Sequence, residues 1–289
     1  MVGVPDPVLR LCSKPTTGCG EGQVRPDPDI SINVDIRNPG QFFACCGLLE
    51  ISSRIWPDSE GWFEITGRRT TYCIATSSEH DDPLGEIVRR IREPDTVILT
   101  DDADDYPPGL RPLLLIPFDL RLDWWIKDGS VNKKSPLKMW AGQQTPLRIM
   151  TDMQTELRQI TPGRSMFSQQ RPMRGRWGID AASSWTARGL GYSPDEQNMR
   201  WPTFPATELF AAIGLQRCRP LQMKQRWFCY HIWTCPLGIS VVPAAAVMGK
   251  GQIAEKYVFE AKMRSKQYGS FDWGRPWTEE ETEGEADEI

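Results

Sequence analysis

One segment constrains the fold of this chain more than any other. Residues 41–56, QFFACCGLLEISSRIW, are apolar on nearly every side until Glu50, whereas a helix at a protein surface keeps one polar side. The segment therefore predicts a helix buried all round, which Pro57 and Gly61 end. A second apolar segment at 204–215, FPATELFAAIGL, predicts another helix.

The two apolar segments also share a short pattern. Residues 42–48, FFACCGL, align with residues 209–215, LFAAIGL, and both place a glycine where a helix packs closely against a sheet. A match of seven residues between two apolar helices arises easily by chance. It does not by itself indicate a duplication.

Alternating and amphipathic stretches predict the remaining elements. Apolar and polar residues alternate from Ile30 to Arg37, as in a half-buried strand. Further elements are predicted as strands at 96–100, 113–126 and 226–236, a hairpin at 61–76, and helices at 84–93 and 145–160. We therefore expect an α+β fold with a mixed or antiparallel sheet and packed helices, in one domain or two subdomains.

Composition divides the chain into four stretches. Residues 1–28 are rich in Pro and Gly and lack a period, which predicts a flexible arm. Acidic residues 278–289 predict a disordered tail. Between them we expect an N-terminal α+β part at 29–162 and a C-terminal α+β part at 163–277, the latter carrying a basic loop at 163–178.

Charge is distributed unevenly along the chain. Residues 1–120 carry 11 Lys and Arg against 20 Asp and Glu, whereas residues 121–230 carry 17 against 8. Within the middle third, residues 133–176 hold 9 basic and 2 acidic side chains. Asymmetry of this kind indicates a polyanionic or acidic partner, although chance clustering on a solvated face gives the same count.

Several classes of protein are not supported by the residues. No run of about 18 apolar residues predicts a transmembrane helix, and the first residues do not resemble a secretory signal, so we expect a cytoplasmic protein. The eight cysteines form no CxxC pair and only two histidines are present, which predicts neither a metal site nor a cofactor. Cys45 and Cys46 are expected to be small buried residues, and His231 a packed or hydrogen-bonded one.

The segment FDLRLDWW, residues 118–125, offers two carboxylates that suggest a nuclease. On one predicted strand, Asp119 and Asp123 would lie about 13 Å apart, whereas the ions of a two-metal site are about 4 Å apart. Arg121 lies between them and neutralises either. A charged sheet face is therefore favoured, and in the absence of any hydrolase, phosphate-loop or metalloprotease motif we expect no enzyme activity.

Binding chemistry is better supplied than catalytic chemistry. Lysine suits phosphate, arginine suits phosphate or a guanine edge, and glutamine suits an adenine edge. The candidate nucleic-acid-binding residues are Lys133, Lys134, Lys138, Gln143, Gln144, Arg148, Gln169, Gln170, Arg171, Arg174 and Arg176. Trp140 and Trp177 are available to stack on bases, but either can equally be a core residue, and for Trp140 the core is favoured.

Several long segments carry a resemblance to a known family. They are NPGQFFACCGLLE (38–50), FDLRLDWW (118–125), KMWAGQQ (138–144) and PATELFAAIGLQRCRP (205–220), followed by Tyr230-His231-Ile232-Trp233. Over about residues 30–270 the chain resembles the Csb-type, large-subunit-like family of subtype I-U (I-G) type I CRISPR Cascade complexes. In complexes of this sort the guide RNA reads sequence, while protein reads a short motif beside the target.

The resemblance implies a non-catalytic subunit of an RNA-guided surveillance complex that contacts target DNA. Its implied partners are a CRISPR guide RNA, target double-stranded DNA, other Cascade subunits and a recruited helicase-nuclease. It assigns no motif-reading residue to a position in this chain. Two alternatives stay open: a structural, small-subunit-like component that contacts guide RNA, the displaced strand or backbone subunits, and a metal-dependent nuclease that uses Asp119, Asp123 and the carboxylates at 101–105.

Overall fold

The protein has an α+β fold in which antiparallel sheets surround packed helices. The computed structural model describes residues 25–92, 96–98, 104–140, 144–184, 199–249, 253–264 and 268–277. The helices are α1 (Pro39–Ile55), α2 (Pro83–Arg92), α3 (Pro146–Leu157), α4 (Pro205–Arg217) and α5 (Val242–Met248). The arm and tail predicted at 1–28 and 278–289 lie outside the described residues, except for residues 25–28.

The strands form four sheets, and every pair among the described strands is antiparallel. They are β1 (Ile30–Val34), β2 (Glu60–Thr66), β3 (Arg69–Ala75), β4 (Thr96–Ile98), β5 (Leu113–Leu115), β6 (Leu120–Leu122), β7 (Arg171–Met173), β8 (Trp201–Thr203), β9 (Leu221–Lys224), β10 (Trp227–Trp233), β11 (Leu237–Gly238), β12 (Ile253–Met263), β13 (Gly269–Phe271) and β14 (Arg275–Pro276). The first sheet has the order β1-β3-β2-β11 and the second β13-β12-β10-β9, with β14 also paired to β12. Strands β4-β5-β6 form a third sheet and β7-β8 a short ribbon.

The buried helix predicted at 41–56 is confirmed, but it begins earlier. Helix α1 starts at Pro39, and the side chain of Asn38 accepts a hydrogen bond from the N–H of Gly40. The asparagine cap accepts from one N–H group that a helix start leaves unpaired, and the proline in the first turn has no N–H that needs a partner. Asn38 thus caps the N-terminus of the helix.

Helices α1 and α4 cross at their glycines. A Cβ added to Gly47 would lie 1.9 Å from the carbonyl oxygen of Phe210, and one added to Gly214 would lie 1.9 Å from that of Phe43. Glu50 and Arg217, which form an ion pair across the two helices, are 167 positions apart. The same offset relates Gly47 to Gly214, so the weak match between residues 42–48 and 209–215 marks two helices in reciprocal contact.

The core continues from the first sheet into the second. The ring of Phe42 on α1 stacks on Tyr230 of β10 with a centroid separation of 4.2 Å, and it faces Phe63 of β2 at 5.9 Å. The indole N–H of Trp233 donates to the carbonyl of Gly61 at 2.8 Å. Residues before and after position 162 therefore share one apolar interior.

The single strand predicted at 113–126 is wrong, because the segment is a hairpin. Strands β5 and β6 pair with each other, and residues 116–119 turn the chain between them. Pro117 cannot donate a ladder hydrogen bond, and Asp119 has φ +47°, in the left-handed region. Asp119 therefore lies in the turn and does not share a strand face with Asp123.

The basic loop at 163–178 contains regular structure. It includes a 3₁₀ turn at Met166–Ser168 and strand β7, which pairs with β8. The hairpin predicted at 61–76 and the strand predicted at 96–100 are confirmed, the latter over Thr96–Ile98. No helix among the described residues is long and apolar enough to cross a bilayer.

Candidate nucleic-acid interface

Four tryptophans bring the two basic segments of the sequence together. Trp124 and Trp125 follow β6, Trp140 ends the lysine-bearing segment, and Trp177 ends the arginine-bearing one. All four are buried, Trp140 and Trp177 with centroids 5.0 Å apart and Trp125 and Trp177 stacked at 5.5 Å. Edge-to-face and offset-stacked rings are the favoured aromatic arrangements. Trp140 is thus a core residue, as expected, and Trp177 is not exposed for stacking on a base.

Strand β13 joins the same two segments through the backbone. The N–H of Gly269 donates to the carbonyl of Met139 at 2.7 Å, and the N–H of Phe271 donates to that of Gly178 at 2.9 Å. Both basic segments are therefore attached to one strand of the second sheet. This anchoring fixes the backbones of both segments beside the core.

The lysines after Trp125 lie on a tight loop. Ile126 and Lys134 form a β-bridge, and the N–H of Lys127 donates to the carbonyl of Lys133 at 2.9 Å. Asp128 and Gly129 turn the loop with positive φ angles. Lys127, Lys133 and Lys134 are all exposed on it. Lys127 was not among the predicted residues, although it opens the same polar run, KDGSVNKK.

Lys138 differs from these lysines because it is held by the protein. Its Nζ donates to the carbonyl of Trp140 at 2.8 Å and lies 4.3 Å from the centroid of the Trp140 ring. Burial, with a smaller contribution from the neighbouring charge of Lys134, lowers the pKa of Lys138 to about 8. Lys138 therefore borders the loop as a partly desolvated cation.

Helix α3 places further basic residues beside the 163–178 segment. The side chain of Thr145 caps the helix by accepting from the N–H of Arg148, whose side chain is exposed. Arg171 pairs with Glu156 of this helix at 3.0 Å. A Cβ added to Gly175 would lie 3.4 Å from Asp152, one turn beyond Arg148. Arg174, next to that contact, is exposed.

The glutamines have different environments. Gln169 uses its amide internally, accepting from the N–H of Thr161 at 2.9 Å and donating to its carbonyl at 2.7 Å. Gln170 is exposed and Gln144 is half-buried. Gln143 lies outside the described residues. Gln170 is accordingly the glutamine with the most accessible side chain among the described candidates.

Arg176 does not belong to the exposed surface. Arg176 is only 5 % exposed, and its guanidinium lies 4.5 Å from the centroid of the Tyr268 ring. Burial raises the pKa of the Glu208 carboxylate, and the charge of Arg176 partly opposes that rise. We therefore remove Arg176 from the candidate interface, because its charge serves the interior.

Glu208 holds the end of the arginine-bearing segment. Its carboxylate accepts four backbone hydrogen bonds of 2.9–3.1 Å, from the N–H groups of residues 177–180. Burial and the neighbouring Asp180 raise the pKa of Glu208 to about 7, while the N–H groups and Arg176 act in the opposite direction. Asp180 in turn accepts hydrogen bonds from Asn38 and Ser183. These buried groups attach the segment to the starts of α1 and α4.

The carboxylates of FDLRLDWW do not form a metal site. Asp123 accepts from Gln216 at 2.9 Å and pairs with Arg121 at 2.8 Å and with Arg219 at 3.4 Å. Asp119 lies in the β5–β6 turn. Among the described residues no cluster of three His, Cys, Asp or Glu side chains is placed to hold a metal ion, and residues 101–103 lie outside them.

The surface that remains combines exposed cations with an ordered backbone. We call the interface residues Lys127, Lys133, Lys134, Lys138, Arg148, Gln170, Arg171 and Arg174. They include three exposed lysines, two exposed arginines and the exposed Gln170. No protein-family model matches the chain, and comparisons with curated proteins and with solved structures find no significant match.

Proposed function

We propose that the chain is a non-catalytic, large-subunit-like component of a type I CRISPR RNA-guided surveillance complex, which acts in the cytoplasm. Its role is to contact target double-stranded DNA, including the short motif beside the target. Its partners are the guide RNA, the other Cascade subunits and a recruited helicase-nuclease. The segment resemblance provides the class of complex, and the interface residues provide the contact.

One observation supports this function best. Lys133, Lys134 and Arg174 are exposed on segments whose backbones are fixed by the tryptophan cluster and by β13. Fixed cations lose less conformational entropy on binding a phosphate backbone than mobile ones do. Lysine and arginine together supply phosphate contacts, and an exposed arginine also fits the guanine edge in a major groove.

The structural alternative is favoured by a different observation. The interface residues include ion-paired Arg171 and partly desolvated Lys138, which belong to a surface with internal contacts. Such a surface also suits a guide RNA or a backbone subunit, whose contacts are permanent. In that case charge changes alter assembly of the complex and leave its preference for a target-adjacent motif unchanged.

Co-purification tests the proposed class directly. The tagged chain is expressed together with the products of its neighbouring genes, and the bound nucleic acid is analysed. We expect a stoichiometric complex that contains a repeat-derived RNA. A chain that purifies alone, without RNA, when those neighbours are present would contradict membership in such a complex.

A further inference from the structure

The outer side of the second sheet carries a tryptophan between two cations. Trp227, half-buried at the start of β10, has the Nζ of Lys224 5.7 Å and the Cζ of Arg275 5.6 Å from its ring centroid. Lys224 comes from the neighbouring strand β9 and Arg275 from β14. Cations within about 6 Å of an indole centroid are attracted by its ring face.

A second tryptophan–cation pair lies on the same sheet. The Nζ of Lys256 on β12 lies 4.5 Å from the ring centroid of Trp277. The backbone N–H of Trp277 donates to the carbonyl of Lys256 at 2.8 Å, which fixes the ring beside the strand. Trp277 is half-buried and therefore keeps part of its surface accessible to solvent.

Strand register places both groups on one side of the sheet. Trp227 is paired with Glu260, and Val258 lies opposite both Cys229 and Arg275. Alternate residues of a strand share a side, so Lys256, Val258 and Glu260 share theirs. Cys229 and Val258 are buried below the long side chains. The opposite side of these strands is the core, where Phe228 stacks on Phe259 at 5.7 Å.

The charge of this side is predominantly positive. Four cations of this side, Lys224, Lys256, Lys262 and Arg275, are accompanied by two acidic residues, Glu260 and Asp272, which lie 3.9 and 3.7 Å from Lys262. Leu221, on the same side of edge strand β9, is 47 % exposed. The combination is therefore aromatic, apolar and cationic.

We propose that this surface, the Trp227 face (Lys224, Trp227, Lys256, Arg275 and Trp277), binds single-stranded nucleic acid. Bases stack on Trp227 and Trp277, and the three cations neutralise the phosphates between them. Single-stranded nucleic acids are bound by cationic surfaces with aromatic platforms, because their bases are free to stack, whereas the bases of a duplex are not. The chemistry is shared by single-stranded RNA and single-stranded DNA.

The spacing of the two rings suits a strand of several nucleotides. Trp227 is level with Glu260 and Trp277 with Lys256, positions four residues apart on β12 and thus about 13 Å apart along the strand. At about 3.4 Å per phosphate in a stacked strand, this corresponds to about four nucleotides. This inference goes beyond the proposed contact with duplex target DNA and does not depend on it.

Fluorescence anisotropy with the purified full-length chain tests the Trp227 face. The probes are a labelled oligothymidylate, an oligouridylate of the same length and a matched duplex. We expect a single strand to bind more tightly than the duplex. Trp227→Leu should weaken that binding about tenfold, while Trp227→Phe, which retains an aromatic ring, should weaken it much less.

Charge reversal provides a second test that leaves the tryptophan in place. Lys224→Glu with Arg275→Glu should weaken single-strand binding at least tenfold and reduce its salt dependence, because two phosphate contacts are lost. The control is Arg68→Glu with Arg69→Glu, the same change in charge at two exposed arginines of the β2–β3 turn. Unchanged circular dichroism spectra establish that the variants are folded.

The outcomes separate clearly. A preference for oligouridylate identifies RNA as the ligand, and a preference for oligothymidylate identifies single-stranded DNA. Equal losses in the control pair, equal effects of Leu and Phe at position 227, or equal binding of duplex and single strand would each overturn the proposal. Because Lys224 and Arg275 lie outside the interface residues, their reversal should leave duplex binding unchanged whether or not the proposed function is correct.

Discussion

Gly47 and Gly214 pack against each other at the crossing of α1 and α4. A Cβ at either position would lie 1.9 Å from a carbonyl oxygen of the opposite helix, of Phe210 or of Phe43. The contact is between backbones, so no side-chain rotation makes room. It is one of the contacts that join the two halves of the chain.

We therefore expect Gly47→Ala or Gly214→Ala to destabilise the protein. The added methyl group forces the helices apart, and overpacking costs about 1–3 kcal/mol or more. The free energy of unfolding in urea measures the effect. Gly238→Ala is the control, because the atom nearest to a Cβ added at Gly238 lies 4.0 Å away. This substitution should change the free energy of unfolding by less than about 1 kcal/mol. Equal stability of all three variants would contradict the close helix crossing.

Glu208 supplies the second prediction. Replacing it by glutamine leaves one acceptor oxygen and turns an NH₂ group towards two of the N–H donors of residues 177–180. Each buried donor left without a partner costs about 1–3 kcal/mol. Glu208→Gln should therefore lower the free energy of unfolding, measured at about pH 8, where the carboxylate is ionised.

The matched control for Glu208 is Glu156→Gln. Glu156 is partly exposed and pairs with Arg171, so its loss should cost at most about 1 kcal/mol. Hydrogen exchange at residues 177–180 gives a local readout. Unchanged protection of these amides in Glu208→Gln would contradict the role of the carboxylate in fixing the segment.

The lowered pKa of Lys138 makes the stability of the protein depend on pH. Its pKa is lowered from 10.5 to about 8 in the folded protein, so between these values the unfolded chain binds the additional proton. Stability should therefore rise as pH increases from about 8 towards 10.5, because deprotonation relieves the desolvation of the ammonium group. Lys138→Gln should abolish this component of the rise, whereas Lys127→Gln, a change at an exposed lysine of the same loop, should retain it.

Substitution of Asp123 tests whether its carboxylate is structural or catalytic. Asp123→Ala removes the acceptor of Gln216, Arg121 and Arg219, and should lower stability by about 1–3 kcal/mol. Purified protein with Mg²⁺ or Mn²⁺ should cleave neither DNA nor RNA. Metal-dependent cleavage that disappears in Asp119→Ala or Asp123→Ala variants would instead establish the nuclease alternative.

Local signals predicted much of the fold. The apolar pattern at 41–56 and 204–215 identified the two central helices. The hairpin predicted at 61–76 is formed by β2 and β3, and Gly67 in its turn has φ +62°. Pro117 carried the signal for the β5–β6 hairpin, but the alternating apolar residues around it favoured a continuous strand. Alternation of apolar residues fits both a continuous strand and a hairpin, and only the turn residues between the strands distinguish the two.

Long-range partners were not predictable in the same way. Arg176 lies in a basic run, and its burial depends on Tyr268 and Glu208, which are distant in the sequence. The Trp227 face was missed because Lys224, Trp227 and Arg275 meet only through the pairing of β9, β10, β12 and β14. The nearest signal was the sequence KQRW at 224–227, an aromatic residue beside two basic ones.

Binding of target DNA by the assembled complex tests the proposed role most directly. Complexes are prepared with Lys133→Glu and Arg174→Glu in this chain, and with Arg68→Glu and Arg69→Glu as a control of equal charge. We predict that the complex with the first pair retains guide RNA and all subunits but binds target DNA at least about tenfold more weakly. The slope of log K against log salt concentration should fall in magnitude by about 2, while the control complex binds normally. Unchanged target binding by an intact complex with the first pair would contradict contact with DNA through the interface residues.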